Sequence, residues 1–429
     1  MSTESPIEFI FRDVLPQLDP RRTTQDALRF EDGNLTAAGR SVPVAGKLVV
    51  VAIGKAAIAM AAGAQDALGA AFERGYVLTV DGPDAAMLDD RWRVLRGGHP
   101  IPDQRGIDAT RTIIDAVEEL EPDDVILALI SGGGSALFES PHEPLTLDDF
   151  AALTRLLLNA GAPIQHLNTV RIPLSDVKGG SFRQRSRAAV FVTLILSDVL
   201  GNNPQIIASG PTVEPATSGA AALAILDLYG LRDVAPPAVR TVLNEAAATE
   251  SEWSYPSDFL SIIGDNHRAL ELAQTAARSR GIESDIVWTE RQGEASDLGR
   301  EWVAMLLNLP AGVRMAWGGG EATVTVRGEG NGGRNTEFAL AAALELDRLE
   351  NDDWIVASLA TDGQDATTGS AGAIASRQSI LRGRELGLDP QDFLDRNDSA
   401  TFFVQTGDLI VTGPSGTNVN DLYVGLRKP

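Results

Sequence analysis

A chain of 429 residues with 36 basic and 59 acidic side chains carries a formal charge of −23. That balance excludes general nucleic-acid binding, which needs a basic face to displace phosphate counterions, and disfavours an anionic membrane surface. The absence of cysteine excludes a disulfide scaffold, thiolate catalysis and cysteine-ligated zinc or iron–sulfur centres, and four histidines leave little for a histidine-rich metal site.

The length exceeds one ordinary core, so two domains are expected. A helix over 6–18 is expected to dock on the first of them. No charged-then-apolar leader opens the sequence, and the longest apolar stretches, such as 188–196, are strand-length, so a cytoplasmic protein is expected. Further along, the apolar runs are short, β-branched and nearly continuous, as in strands buried on both faces of a parallel sheet. Strands are expected over 47–54, 75–81, 92–95, 124–130, 189–197, 258–264, 284–288, 313–317, 323–327, 354–360, 408–413 and 422–426. Helices are expected over 55–68, 104–120, 147–159, 218–228, 237–247, 266–279, 295–308 and 335–349. The alternation predicts an α/β protein with two α/β domains and mostly parallel sheets, a larger N-terminal Rossmann-like domain and a smaller C-terminal one. The polar stretch 248–256, which ends in Pro256, is the best boundary and gives domains 1–247 and 257–429. Whether 422–426 returns to the first domain's sheet stays open.

Strand after strand ends in a small or polar cluster, where open α/β sheets bind ligands. Gly54-Lys55 follows the first strand of the sheet. Lys55 opens an Ala-rich helix, the end where a cation is electrostatically misplaced, and a residue that breaks a local rule is a candidate for function. The next cluster is Ser131, Gly132, Gly133, Gly134 and Ser135, a run whose amides and hydroxyls can surround a phosphate without any cationic side chain. Arg171 and Lys178 make a local basic patch suited to an anionic substrate. Gly318, Gly319, Gly320 and Glu321 end a predicted strand and are expected, with Asn335, to bind nucleotide or phosphate. Gly328-Glu329-Gly330-Asn331-Gly332-Gly333 satisfies G-x-G-x-x-G, but the acid that would hold a ribose is misplaced: Asp352 and Asp353 come before the next strand and Asp362 too late. Arg334, where that loop meets a helix, instead suits phosphate oxygens. Asp198, Glu321, Asp362 and Asp365 are hard carboxylates of the kind that hold Mg²⁺, although Asp is also a favoured turn and cap residue.

These motifs come in a recognisable order: Gly54-Lys55-Ala56-Ala57, Gly97-Gly98-His99-Pro100-Ile101-Pro102-Asp103, Ser131-Gly132-Gly133-Gly134-Ser135, Leu196-Ser197-Asp198-Val199, Ala208-Ser209-Gly210-Pro211-Thr212, Gly318-Gly319-Gly320-Glu321, Gly332-Gly333-Arg334-Asn335, Thr361-Asp362-Gly363 and Gly413-Pro414-Ser415-Gly416-Thr417-Asn418. Over nearly the whole chain the series resembles the glycerate 2-kinase family, whose C-terminal region is often called the MOFRL domain and some of whose members carry the label hydroxypyruvate reductase. The chain differs from the family's usual pattern at Ile172, Pro173 and Ala366. The resemblance implies ATP-dependent phosphorylation of D-glycerate to 2-phosphoglycerate with Mg²⁺, in a cleft between two α/β domains, and places the family's important Lys and Arg at Lys55 and Arg334. On that reading Asp198, Glu321 and Asp362 hold the metal, Asp198 also orients the 2-hydroxyl, and Arg171 and Lys178 hold the substrate carboxylate. The partners expected are small molecules, with no nucleic acid and no membrane, around a monomer or homodimer. Two rivals remain: an NAD(P)-dependent hydroxypyruvate reductase and a sugar-phosphate-binding module. His99 receives no role.

Overall fold

The computed structural model describes residues 9–249, 253–366 and 368–428. Residues 6–8 of the expected N-terminal helix and 250–252 of the expected boundary lie outside them. The chain forms two compact units, one of Pro20–Leu196 and Asn202–Ile263, the other of Met1–Asp19, Ser197–Gly201 and Gly264–Pro429.

The first unit opens with a small antiparallel sheet that the sequence reading missed: β1 (Leu28–Glu31), β2 (Asn34–Ala37) and β3 (Arg40–Pro43). Its main sheet contains β4 (Leu48–Ile53), β5 (Arg74–Thr79), β6 (Trp92–Arg96), β7 (Val125–Ile130), β8 (Val190–Leu196) and β9 (Phe259–Gly264). Their spatial order is β6-β5-β4-β7-β8-β9, with β4 to β8 in parallel register. Every residue of β4, β7 and β8 is buried. Val50, Leu127 and Val192 face the helix Ala57–Leu68, and Val49, Ile126 and Phe191 face the helix Gln104–Glu118. The period-two alternation thus divides one continuous apolar run between two cores. A third core gathers the helices Leu147–Asn159, Ile164–Arg171, Gly219–Leu228 and Pro237–Ala248.

The second unit holds β10 (Ser284–Glu294), β11 (Met315–Thr323), β12 (Trp354–Ala360), β13 (Gly372–Ala375), β14 (Leu409–Ile410) and β15 (Asp421–Arg427). They lie in the order β10-β11-β15-β12-β13-β14. β10 and β11 are parallel and the remaining pairs antiparallel, so four strands share one direction and β13 and β15 run against them. Helices Ala295–Leu307 and Arg334–Arg348 cover one face. The helix Asn266–Arg278 covers the other.

Several expectations change. The N-terminal segment packs through Phe9, Ile10, Val14, Leu15 and Leu18 against Ala269, Leu270 and Trp317, so its apolar face is buried in the second unit. β9, which the boundary at 248–256 assigned to the second domain, is the edge strand of the first unit's sheet. β15 sits in the middle of the second unit's sheet, which settles where 422–426 goes. The strand expected at 323–327 is absent, and the one expected over 313–317 instead continues to Thr323. Among the described residues no helix is long and apolar enough to cross a membrane.

Candidate active site

In the first sheet, connections run one way from β4 and the other way from β7, and β4 and β7 are neighbours. The crevice at such a reversal, outside the carboxyl ends of the strands, is where open α/β sheets bind ligands. Two turns meet there. Gly54 leaves β4 with φ +117°, and a Cβ at that position would run into Ser131. The Ser131 amide donates to Ile53 O at 2.9 Å, the Lys55 amide to Gly132 O at 2.9 Å, and the Ala56 amide to Ser131 Oγ at 3.1 Å. Gly133 adopts the left-handed conformation, φ +83° and ψ −6°, and starts the short helix Gly134–Leu137. Among the described residues the amides of Gly132, Gly133, Gly134 and Ser135 have no hydrogen-bond partner. Four unpaired N–H groups on a left-handed turn form a concavity suited to an anion. The exposed Lys55 side chain lies beside it, because a Cβ at Gly133 would be 3.2 Å from Lys55 Cγ.

The turn is braced from two sides. Ala208, Ser209 and Gly210 all have positive φ, at 50°, 62° and 63°. For the two non-glycine residues this costs about 1–3 kcal/mol each, strain that concentrates at functional sites. Ser209 Oγ lies 3.0 Å from Ser135 Oγ, and the amides of Gly179 and Gly180 donate to the carbonyls of Ser209 and Gly210 at 2.9 and 2.7 Å. Lys178 is almost wholly buried, with Nζ donating to Ser135 O at 2.7 Å and paired with Glu139 Oε2 at 2.9 Å. Glu139 also accepts from Ser175 Oγ at 2.6 Å and from Arg171 Nη2 at 3.3 Å. Burial pushes the Lys178 ammonium below its usual range, while Glu139 opposes that shift. This corrects the expectation for Lys178: its ammonium is already committed to Ser135 O and Glu139, so it positions the turn instead of holding a substrate carboxylate. Arg171, one-fifth exposed, is likewise engaged with Glu139.

His99, to which the sequence assigns no role, also comes to this turn. A Cβ at Gly133 would lie 3.1 Å from its Cδ2 and 3.3 Å from its Nε2, so the ring borders the same turn. The signal was its place in a tight Gly97-Gly98-His99-Pro100 loop after a strand end, but sequence alone does not say which other loop it meets.

The second unit holds a different arrangement. Arg334 gives its Nε and Nη2 to Asp421 Oδ2 and Oδ1 at 2.6 and 2.9 Å, the bidentate geometry that orients a guanidinium firmly. Asp421 is fully buried and also accepts from Asn335 Nδ2 at 3.0 Å. Burial pushes the Asp421 carboxyl up to about 6 against the opposing charge of Arg334, whereas Arg334 is held more firmly protonated than usual, chiefly by Asp421 acting against its own desolvation. Removal from water is the largest influence on Asp421 and sets the upward direction. Near Arg334, Glu321 is raised by partial desolvation, then lowered by Arg334 and raised by Asp198 and Asp362. Glu321 therefore feels the charges of both Asp198 and Asp362. Among the described residues, no three or more His, Asp or Glu side chains converge as a ready metal cage.

Three expectations in this unit change. Asp365 caps the helix Arg334–Arg348, its Oδ1 and Oδ2 accepting from the amides of Asn335 and Thr336 at 2.9 Å each, and so leaves the set of candidate metal acids. Asn335 is buried, donating to Asp421 and accepting from Ser358 Oγ at 2.5 Å, so it supports the site from behind and does not reach a nucleotide. Gly318, Gly319 and Gly320 lie inside β11, flanked by β10 and β15, and form no turn. A Cβ at Gly318 would lie 2.8 Å from Trp302, one at Gly319 would collide with Asn266 Oδ1, and one at Gly320 with the Arg291 carbonyl. These glycines permit close packing and leave no amide cradle.

Residues 7–244 match the family described as "Domain of unknown function (DUF4147)" and residues 315–421 the MOFRL family. The D-glycerate 2-kinase of Thermotoga maritima is 38% identical over 389 residues, 89% of this chain and 90% of that one. An Agrobacterium vitis protein, named only provisionally as a hydroxypyruvate reductase, is 41% identical over 385 residues, 88% of this chain and 86% of that one. The crystal structure of a Thermotoga maritima glycerate kinase superposes with a TM-score of 0.88 at 34% identity, covering 98% of each chain. With its two units folded as in that enzyme and its motifs shared along nearly its whole length, the chain belongs to the glycerate kinase family.

Proposed function

We propose that this chain is a D-glycerate 2-kinase, transferring the γ-phosphoryl group of ATP to the 2-hydroxyl of D-glycerate. The observation that carries the reading is the cradle of four unpaired amides at the β4–β7 reversal with Lys55 beside it. The 2-position and the D-configuration rest on the name of the Thermotoga maritima relative.

Phosphoryl transfer passes through a loose transition state in which charge is spread over the equatorial oxygens, so positioned positive charge and N–H donors do most of the work. The amides of Gly132, Gly133, Gly134 and Ser135 supply donors, and Lys55 a cation, within the first unit. In the second unit Asp421 grips the Nε/Nη2 edge of Arg334 and leaves Nη1 for phosphate oxygen. Asp198, Glu321 and Asp362 are hard oxygen donors of the class Mg²⁺ accepts, and one or two carboxylates suffice when phosphate completes the shell. They are the residues that would hold the ion, whose charge offsets that of the phosphates. Arg171 remains the candidate for the glycerate carboxylate.

The reductase reading has one observation behind it, the name of the Agrobacterium vitis relative. The chain's G-x-G-x-x-G loop does not support it. β11 ends at Thr323, well before that loop. Cβ atoms at Gly328 and Gly330 would strike the backbone of Arg396 and Asn397, which already packs where a dinucleotide would have to approach. A coupled assay for ADP formation with D-glycerate, ATP and Mg²⁺, with the product identified by phosphorus NMR, tests the proposal. ADP formation dependent on glycerate and a 2-phosphate product are expected. No ADP, together with NAD(P)H oxidation by hydroxypyruvate, would overturn it.

A further inference from the structure

The kinase reading leaves one chemically capable side chain beside the amide cradle without a task. Of the four histidines, His142 Nδ1 lies 2.7 Å from Asp176, His166 Nδ1 lies 2.9 Å from the Tyr229 hydroxyl, and His267 sits 3.6 Å from Glu271. His99 alone, among the described residues, has no hydrogen-bond or ion-pair partner. Its exposed ring turns its Nε2–Cδ2 edge toward Gly133, the left-handed residue of the cradle, next to the methylenes of Lys55.

The loop that carries the ring is held at its backbone. The Gly98 amide donates to Asp103 Oδ1 at 2.9 Å, and the same oxygen caps the helix Gln104–Glu118 by accepting from the Gly106 amide at 2.9 Å. Arg105 Nε clamps the other Asp103 oxygen at 2.9 Å. A Cβ at Gly97 would lie 2.8 Å from Gly106 Cα and one at Gly98 2.6 Å from Ile101 O, so the loop is packed closely on itself and on the helix start.

We propose that His99 is the general base of the transfer, taking the proton of the substrate hydroxyl through Nε2 while the cradle and Lys55 hold the phosphoryl group. The inference rests on the kinase reading. In the step, the hydroxyl oxygen forms its bond to the γ-phosphorus as the bond from that phosphorus to the bridging oxygen breaks. ADP departs with the bridging oxygen, the hydroxyl proton moves to neutral His99, and the imidazolium then releases it to solvent. The local electrostatics suit a base. Partial desolvation on the side facing the turn, and then the neighbouring Lys55, hold the His99 imidazolium below its usual range, which favours the neutral form a base needs. Lys55 is the charged group that the β4 turn presents to it, and the 131–135 turn presents none. On its own loop Asp103 is engaged by Gly98, Gly106 and Arg105.

The test uses the full chain with His99→Ala and His99→Gln. Both are expected to fold with unchanged Tm, because the ring is exposed. kcat should fall by roughly 10²-fold or more, with the KM for ATP within about threefold of wild type. Added imidazole should restore part of the rate of His99→Ala, since a small base can occupy the space of the missing ring. His99→Gln, which offers a hydrogen-bond acceptor but takes no proton, should be as slow as His99→Ala. The base role is overturned if either variant stays within tenfold of wild type, if imidazole does not raise the rate of His99→Ala, or if His99→Gln outpaces His99→Ala tenfold. A wild-type protein that forms no ADP from glycerate and ATP would instead defeat the kinase reading itself.

Discussion

The chain contains two glycine triplets of similar composition, Gly132-Gly133-Gly134 and Gly318-Gly319-Gly320, and they do opposite things. The first comes after β7 and Ser131, includes a left-handed residue and leaves its amides unpaired. The second lies within β11, where its missing side chains let Trp302, Asn266 and the Arg291 carbonyl come close. Glycine is needed in one place for backbone conformation and exposed donors, in the other for lack of bulk. The first triplet belongs to the proposed site and the second to a core.

The sharpest way to break that contrast is to remove the charge beside the first triplet. Lys55→Met should cost about 10²–10³-fold in kcat, the loss typical of one charge-stabilising donor, with no change in Tm. A Lys55→Met enzyme with near-normal turnover would detach the cradle from the chemistry. Next in size is the second triplet. Gly320→Ala drives a Cβ into a backbone carbonyl and should destabilise the fold by about 3 kcal/mol, read as a drop in the denaturant midpoint, while the folded fraction keeps its kcat. Loss of turnover with normal stability would return Gly320 to the catalytic machinery. Gly133→Ala is expected to show the reverse profile. Its left-handed φ costs an alanine about 1–2 kcal/mol, and the methyl would press on His99 and Lys55, so the rise in the KM for ATP should outweigh the modest fall in Tm. Equal effects from Gly133→Ala and Gly320→Ala would erase the distinction.

The smallest effect concerns the anchor of Arg334. Asp421 is pushed up to about 6, mainly by burial, from an ordinary carboxyl value near 3.9. The folded state therefore binds that proton more tightly than the unfolded state. The associated stability is fully present below about pH 4, declines as the pH rises, and is gone above about pH 6. Unfolding free energies of wild type minus Asp421→Asn should fall across that window and level off above it. A difference that rises with pH would mean that the guanidinium outweighs burial.

How much of this was legible in the sequence follows from what each segment buries. β4, β7 and β8 read correctly because strands buried on both faces are continuous apolar runs, and the helix Asn266–Arg278 because its apolar residues keep a helical period. The helices Arg377–Glu385, Pro390–Asp395 and Ser399–Thr406 escaped notice, being short or rich in polar residues, and so did the four-residue strands of the first hairpins. Strand order, which creates the β4–β7 reversal, is a matter of long-range pairing and leaves no local trace. In the candidate site, Lys55 stood out because a cation at a helix start breaks a local preference, and the 131–135 run because successive glycines can turn their amides toward an anion. The roles of Lys178, Asn335 and Asp365 depend on burial, and a polar residue that is buried looks the same in a sequence as one that is exposed. Gly318, Gly319 and Gly320 misled because composition does not reveal what lies opposite a missing side chain.

Residues 9–18 are synthesised well before their apolar partners, which begin with the helix Asn266–Arg278, about 250 positions later. At synthesis rates of roughly 5–20 residues per second, that apolar segment waits on the order of 10–50 seconds for its berth. Over that interval the nascent protein carries an uncovered patch of Phe9, Ile10, Val14, Leu15 and Leu18, a natural handle for a chaperone and a liability for any polypeptide released early.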